Sequence, residues 1–209
     1  MTTDARAERA ALCDLLNHLG PDQPTLCEGW RTRDLAAHLV LRERRPLAAP
    51  GIMLSPLAGY TARVQGRLAQ RPFADLVRTL RRPPAWSPTR LAPLDQAVNG
   101  TEMFVHHEDV RRAQPDWQPR ELSTDQAGAL WRRVRTLGRF VLRRFPAMID
   151  LAAPGYGSVT VGRGGPSVRL YGDPGELTMF LTGRQQAARV EVTGPSALTD
   201  QLVSARLGL

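Results

Sequence analysis

Asn99-Gly100-Thr101-Glu102-Met103-Phe104-Val105-His106-His107-Glu108-Asp109-Val110-Arg111 is the stretch on which the reading of the whole chain turns. Glu102 and His106 stand four residues apart, so on a helix they lie one above the other on a single face. A carboxylate and an imidazole stacked in this way supply two of the three protein ligands that an open divalent-metal site needs. Asp109, three residues past His106, falls on roughly the same face, where it can accept the second N–H of a ligand imidazole. The plain alternative is a solvated polar turn of helix, because Glu/His pairs at this spacing also arise by chance. A third ligand has to come from elsewhere, and the chain has four histidines in all.

Toward the N-terminus, Ala7, Ala11, Leu12, Leu15, Leu16 and Leu19 form an apolar stripe over residues 4–19, closed by Gly20-Pro21. His18 sits at the end of that stripe, where a surface or capping role suits the helix dipole. A second helix starts at Thr32, read as its N-cap, with Asp34 in the first turn, and runs to about Arg45 before Pro46. His38 lies within its apolar face, beside Leu35 and Leu39. A lone histidine on such a face is more often a satisfied core residue, but here a Glu/His pair awaits a partner on another helix. A proline-rich insert over 46–93 contains two helical runs, 57–69 and 73–81, and a loop from Pro83 to Pro93. The Glu102 helix is expected over about 94–114.

Ser123-Thr124-Asp125-Gln126 is a capping-box pattern that opens a helix carrying Ala127, Leu130, Val134, Leu137 and Val141. From about Met148 the composition turns glycine-rich. Ser158–Val161 and Ser167–Tyr171 alternate like strands, a helix follows Asp173-Pro174, Arg189–Thr193 is another strand, and Ser196–Leu207 a last helix. These patterns predict an α+β chain: an antiparallel four-helix bundle with extra short helices over 1–147, then a small α+β domain over 148–209.

All 28 basic residues are arginine and the net charge is +8. With isoleucine only at positions 52 and 149, this composition reflects a GC-rich coding bias more than a phosphate-binding surface. No aromatic–basic stripe of the kind used by single-strand binders is present, and no specific nucleic-acid partner is expected. Cys13 and Cys27 have neither C-x-x-C spacing nor a disulfide framework and read as small core residues or free thiols of a reducing compartment. No apolar run approaches a membrane span, so a cytoplasmic protein without membrane contact is expected. Exposed apolar helix faces leave room for a homodimer.

His38, Glu102 and His106 together make a His₂Glu set from two helices, which suits zinc first, with nickel, iron or manganese as alternatives. Here the chain resembles the DinB-like metal-binding proteins, specifically the mycothiol-dependent maleylpyruvate isomerase branch. One motif is Gly29-Trp30-Arg31-Thr32-Arg33-Asp34-Leu35-Ala36-Ala37-His38-Leu39, and the other runs from Thr101 to Ala113. A weaker match covers Leu170-Tyr171-Gly172-Asp173-Pro174-Gly175-Glu176-Leu177 through Gly183-Arg184. The resemblance implies a DinB-like bundle, His38, Glu102 and His106 as metal ligands, Asp109 beside them, and Arg184 as a functional arginine of the small domain. A surface arginine after a helix-ending glycine is an equally good reading of Arg184. It further implies a metal- and thiol-dependent S-transferase or isomerase, using mycothiol or another low-molecular-weight thiol on an electrophilic substrate. The proline-rich insert departs from that pattern, which points to a sister group rather than the isomerase itself. A metal-stabilised binding or stress-response module without turnover is the alternative. His107 points about 100° away from His106 on a helix and ranks low as a proton carrier.

Overall fold

The computed structural model describes residues 4–45, 55–82 and 84–208. Among them are eight α-helices and one four-stranded mixed sheet, so the chain is α+β. The helices are α1 (Asp4–Leu19), α2 (Thr32–Arg44), α3 (Ala58–Ala69), α4 (Phe73–Arg81), α5 (Ala92–Arg111) and α6 (Thr124–Val141), followed by α7 (Pro174–Leu181) and α8 (Ser196–Ser204). The strands are β1 (Met148–Ala153), β2 (Gly157–Gly162), β3 (Ser167–Tyr171) and β4 (Glu191–Thr193). Part of the proline-rich insert, 46–54 with the expected stop at Pro46, lies outside the described residues, as does Pro83. No described helix is long and apolar enough to cross a membrane.

The chain divides into two compact units, 1–118 and 119–209. The expected boundary at 147/148 therefore moves forward by a whole helix. The shift in composition marks where strands begin, not where the compact unit begins. Helix α6 buries Trp131 and Val134 in one core with Ile149, Leu151, Val168, Leu170 and Phe180. Gly138 lets α6 lie close against Leu151 of β1. The helix read from sequence as the fourth of the bundle thus belongs to the second unit, and the first unit contains α1 to α5.

In the first unit the buried positions of α1 are Ala5, Glu8, Arg9, Leu12, Cys13 and Leu16, a stripe with alternating steps of three and one. Helix α1 packs against α4 and α5, and α2 against α3 and α4. Their shared core holds Leu12, Leu16, Leu35, Leu39, Leu76, Leu80 and Met103. Two of the six α1 positions are charged, and each finds a partner: Glu8 meets His107, and Arg9 meets Glu43 and Asp95. Cys13 donates its S–H to Val77 O at 3.8 Å, and burial pushes its thiol up to about 11, so it is a core residue. The N-cap of α2 is Arg31, one residue before the expected Thr32. Thr32 Oγ1 instead donates to Gly20 O at 2.6 Å, tying the helix start to the end of α1.

The sheet of the second unit has the order β2-β1-β3-β4, with β1 parallel to β3 and the other pairs antiparallel. Ser123 caps α6 with the predicted capping box. Strand β1 shows alternation only in its first half, where Met148 is exposed and Asp150 half-buried; Ile149, Leu151, Ala152 and Ala153 are all buried, so the pattern ends after Leu151 and is too short to read in the sequence. The chain leaves β2 through Gly162, whose φ is +100° and whose missing side chain makes room for Ala147 O. Replacing Gly162 with Ala should therefore lower unfolding stability by about 1–3 kcal/mol. Urea denaturation followed by circular dichroism measures this, and an unchanged midpoint would contradict the account of that turn.

Candidate metal centre

Helix α5 is unusual because it is buried on all sides from Met103 to Val110 although half of that segment is ionisable. Burying such groups is costly unless each is paired. His106 Nδ1 lies 2.9 Å from Asp109 Oδ2, and His107 Nδ1 lies 2.8 Å from Glu8 Oε2. Glu108 accepts from Arg111 Nη1 and Arg112 Nε, both at 2.7 Å. Successive residues of one helix thus point to different partners around its circumference. His106 is turned toward α2, and His107 toward α1.

The α2 side brings together the three expected ligands. The donor atoms of His38, Glu102 and His106 all lie within 4.8 Å of one another. Glu102 Oε1 is 3.3 Å from His106 Nε2 and 3.7 Å from His38 Nε2. An ion with four tetrahedral ligands at about 2.0–2.1 Å sets neighbouring donor atoms about 3.3 Å apart; the Glu102–His106 distance equals that, and the Glu102–His38 distance is longer. The histidine side chains are 8% and 10% exposed and Glu102 29%, which leaves the carboxylate on the solvent side of the cluster.

A second grouping, Cys27, His106 and Asp109, is just as close. Its chemistry differs, because Cys27 Sγ at 3.2 Å and His106 Nδ1 at 2.9 Å already share Asp109 Oδ2 as acceptor. That arrangement satisfies its donors without an ion and fixes the ring so that Nε2 faces Glu102 and His38. The loop before α2 is fastened to the same place. Leu26 N donates to Asp109 O at 3.0 Å, and Thr25 Oγ1 donates to Trp30 O at 2.9 Å. Gly29, at φ +75°, turns the loop so that the Trp30 ring lies 4.9 Å from the His38 ring.

The electrostatics follow from these contacts. Burial disfavours the charged form of Glu102, but hydrogen bonds from His106 and His38, then the charges of His106 and Arg42, outweigh it. The carboxyl is held far below the usual range. Burial likewise disfavours a charged His106, yet the Asp109 carboxylate, Cys27 and Glu102 outweigh it and hold the ring well above its ordinary value.

Sequence reasoning located His38, Glu102, His106 and Asp109, and the fold brings all four together. Arg184 belongs to the second unit, where its Nη1 donates to Thr182 O at 2.6 Å, after α7 has ended at Leu181 and the chain has turned at Gly183. His18 is exposed at the end of α1, and His107 is a buried structural partner of Glu8. Sequence reasoning missed three contributors: Cys27, Trp30 and Arg42. Trp30 lies in the quoted motif eight residues before His38, and Arg42 one helical turn after it; both spacings are signals in the chain. Cys27 joins Asp109 across 82 residues, and no local pattern announces that.

No family model, no curated protein and no solved structure matches the chain. Two outcomes test the geometry itself. His106 gains its carboxylate partner on folding, so the stability from the charged ring is complete below its unfolded value of about 6.5. That stability is lost as pH rises through the higher folded value. Thermal melts of the metal-free protein should therefore fall between neutral and mildly alkaline pH, and Asp109→Asn should flatten that slope. A slope untouched by Asp109→Asn would contradict the pairing. His107→Ala should cost about 1–3 kcal/mol by removing the buried contact to Glu8, as read by urea unfolding, and an unchanged midpoint would contradict a structural role for that pair.

Proposed function

We propose that the protein binds a divalent metal through His38, Glu102 and His106 and uses it in thiol chemistry, as an S-transferase or isomerase. The observation that carries the reading is the convergence of two imidazole Nε2 atoms on one carboxylate oxygen, at 3.3 and 3.7 Å. Three protein donors leave a coordination position for another group, the pattern of catalytic rather than structural sites. Zinc suits the donor set best, with nickel, iron and manganese next. The thiol half of the proposal rests on the resemblance to the DinB-like, mycothiol-dependent branch, as does a role for Arg184 in holding an anionic part of the thiol or substrate.

Each side chain has a definite task in this scheme. His38 and His106 present Nε2, and Asp109 holds the proton of His106 on Nδ1, so the ligand tautomer is set before any ion arrives. Glu102 lies against both rings and is steadied by Arg42 Nε at 3.3 Å. Trp30 covers His38 and limits access of water to that ring. A divalent ion, when bound, supplies a Lewis acid that lowers the pKa of a thiol brought to it. In transfer, the sulfur forms a bond to an electrophilic carbon and the leaving group departs with its electron pair. In isomerisation, the sulfur adds to one carbon of an activated double bond, the resulting single bond rotates, and the sulfur leaves again. The second reading, a metal-stabilised module without turnover, draws on the burial of both histidine side chains. The partly exposed Glu102 favours the enzyme.

Elemental analysis of protein purified without an affinity tag tests the proposal. Near-stoichiometric metal is expected in the parent and little or none in His38→Ala and Glu102→Ala. Metal-loaded parent should then conjugate or isomerise activated electrophiles only when a low-molecular-weight thiol is added. A parent that neither contains metal nor gains thermal stability from added zinc or nickel would contradict the metal; full metal occupancy without thiol-dependent turnover would favour the module.

A further inference from the structure

Beside the three candidate ligands stands a cation that is not itself a ligand. Arg42 lies one helical turn after His38 on α2, and its Nε is 3.3 Å from Glu102 Oε1. Its Nη1 donates to Asn99 Oδ1 at 2.6 Å and its Nη2 to Val98 O at 3.3 Å. A guanidinium has five N–H groups, so one N–H on each terminal nitrogen has no partner among the described residues. The Arg42 side chain is 24% exposed, and with Glu102 it forms the solvent-facing edge of a cluster otherwise buried.

The guanidinium is also held in place from behind. Asn99 accepts from Arg42 because its own Nδ2 is turned to Asp95 Oδ1, 2.7 Å away. Asp95 is fully buried, and its charge is answered by Arg9 Nη2 at 3.1 Å; Arg9 in turn reaches Glu43 Oε2 at 2.8 Å. This chain of contacts crosses the unit from α1 to α5 to α2. It fixes the fork of Arg42 before any ligand arrives, which reduces the entropy a ligand must pay to engage it.

Charge balance says what such a ligand is. An ion at the three donors brings two positive charges and Arg42 a third, against the carboxylates of Glu102 and Asp109. One positive charge is left over, and beside Glu102 the Arg42 fork keeps two N–H donors uncommitted among the described residues. We propose that Arg42 is a specificity residue that binds a carboxylate of the molecule entering this site. The proposal rests on the metal reading above and narrows its ligands to small organic acids. The carboxylate belongs either to the thiol or to the acceptor, and both share this recognition.

The test uses the full chain loaded with Co²⁺, whose absorption reports binding of sulfur and of other groups at the ion. Parent and Arg42→Gln are titrated with 3-mercaptopropionate, with its methyl ester, and with acetate; Arg42→Lys, which keeps the charge but not the fork, carries the comparison if Arg42→Gln fails to fold or to load. In the parent, 3-mercaptopropionate should bind about tenfold tighter than the ester. The variant, compared at full cobalt loading, should bring that ratio close to one while leaving ester affinity within about threefold. This outcome assigns the carboxylate to the thiol. Equal binding of both thiols, with acetate perturbing the spectrum of the parent but not of the variant, assigns it to the acceptor. Loaded proteins whose preferences are the same with and without Arg42 overturn the proposal and leave the metal reading standing. A parent that takes up no cobalt overturns both.

Discussion

The first unit depends on one constraint: a helix with four consecutive ionisable residues, His106 to Asp109, is buried on every side. Such a segment is stable only if each group meets a partner, since an unpaired buried charge costs several kcal/mol. This requirement explains features of the surrounding elements that hydrophobic packing does not. Helix α1 carries Glu8 and Arg9 on its inward stripe because His107, Asp95 and Glu43 face them. The loop before α2 sends in Cys27 and a backbone N–H because Asp109 offers both an oxygen of its side chain and its carbonyl. The polar network is a condition of the packing, and the candidate site is the part of it that opens to solvent.

From this follows a division of labour among similar residues. His106 and His107 are neighbours in sequence, yet the helical step turns them to different partners, one to a candidate ligand set and the other to a structural pair. The two cysteines separate in the same way: Cys13 is sealed in the core, while Cys27 is half-buried and shares the acceptor of His106. Glu102 and Glu108 lie on the same helix, but Glu108 is neutralised by two arginines and Glu102 is left to two imidazoles and one arginine at the edge. Residue type alone does not distinguish these roles; angular position on α5 does.

Much of this is legible in the order of the residues alone. Helix α4, the capping box of α6 and strand β3 follow the sequence pattern closely; α1 has the expected span, but of its expected stripe only Leu12 and Leu16 are fully buried. The candidate ligands are legible because Glu102 and His106 have helical spacing, and His38 is one of few histidines left. Strand β1 is not legible, because its alternation stops at Leu151 and gives way to the buried pair Ala152 and Ala153. Helix α6 has a clear apolar stripe, but a stripe does not say whether it packs on a bundle or on a sheet; here its partner is the sheet and α7. Cys27 and Glu8 escape sequence reasoning for a shared reason. Each acts through a contact between elements distant in sequence, and no periodicity within an element records such a contact.

The central claim is that His38, Glu102 and His106 bind one divalent ion. Anomalous diffraction at the zinc edge, from crystals of protein grown with zinc, tests it most directly. The account predicts a single strong peak between His38 Nε2, Glu102 Oε1 and His106 Nε2, with the His106 Nδ1 contact to Asp109 retained. A peak on the other side of the ring, held by Cys27 and Asp109, or no peak near α5 at all, would contradict it.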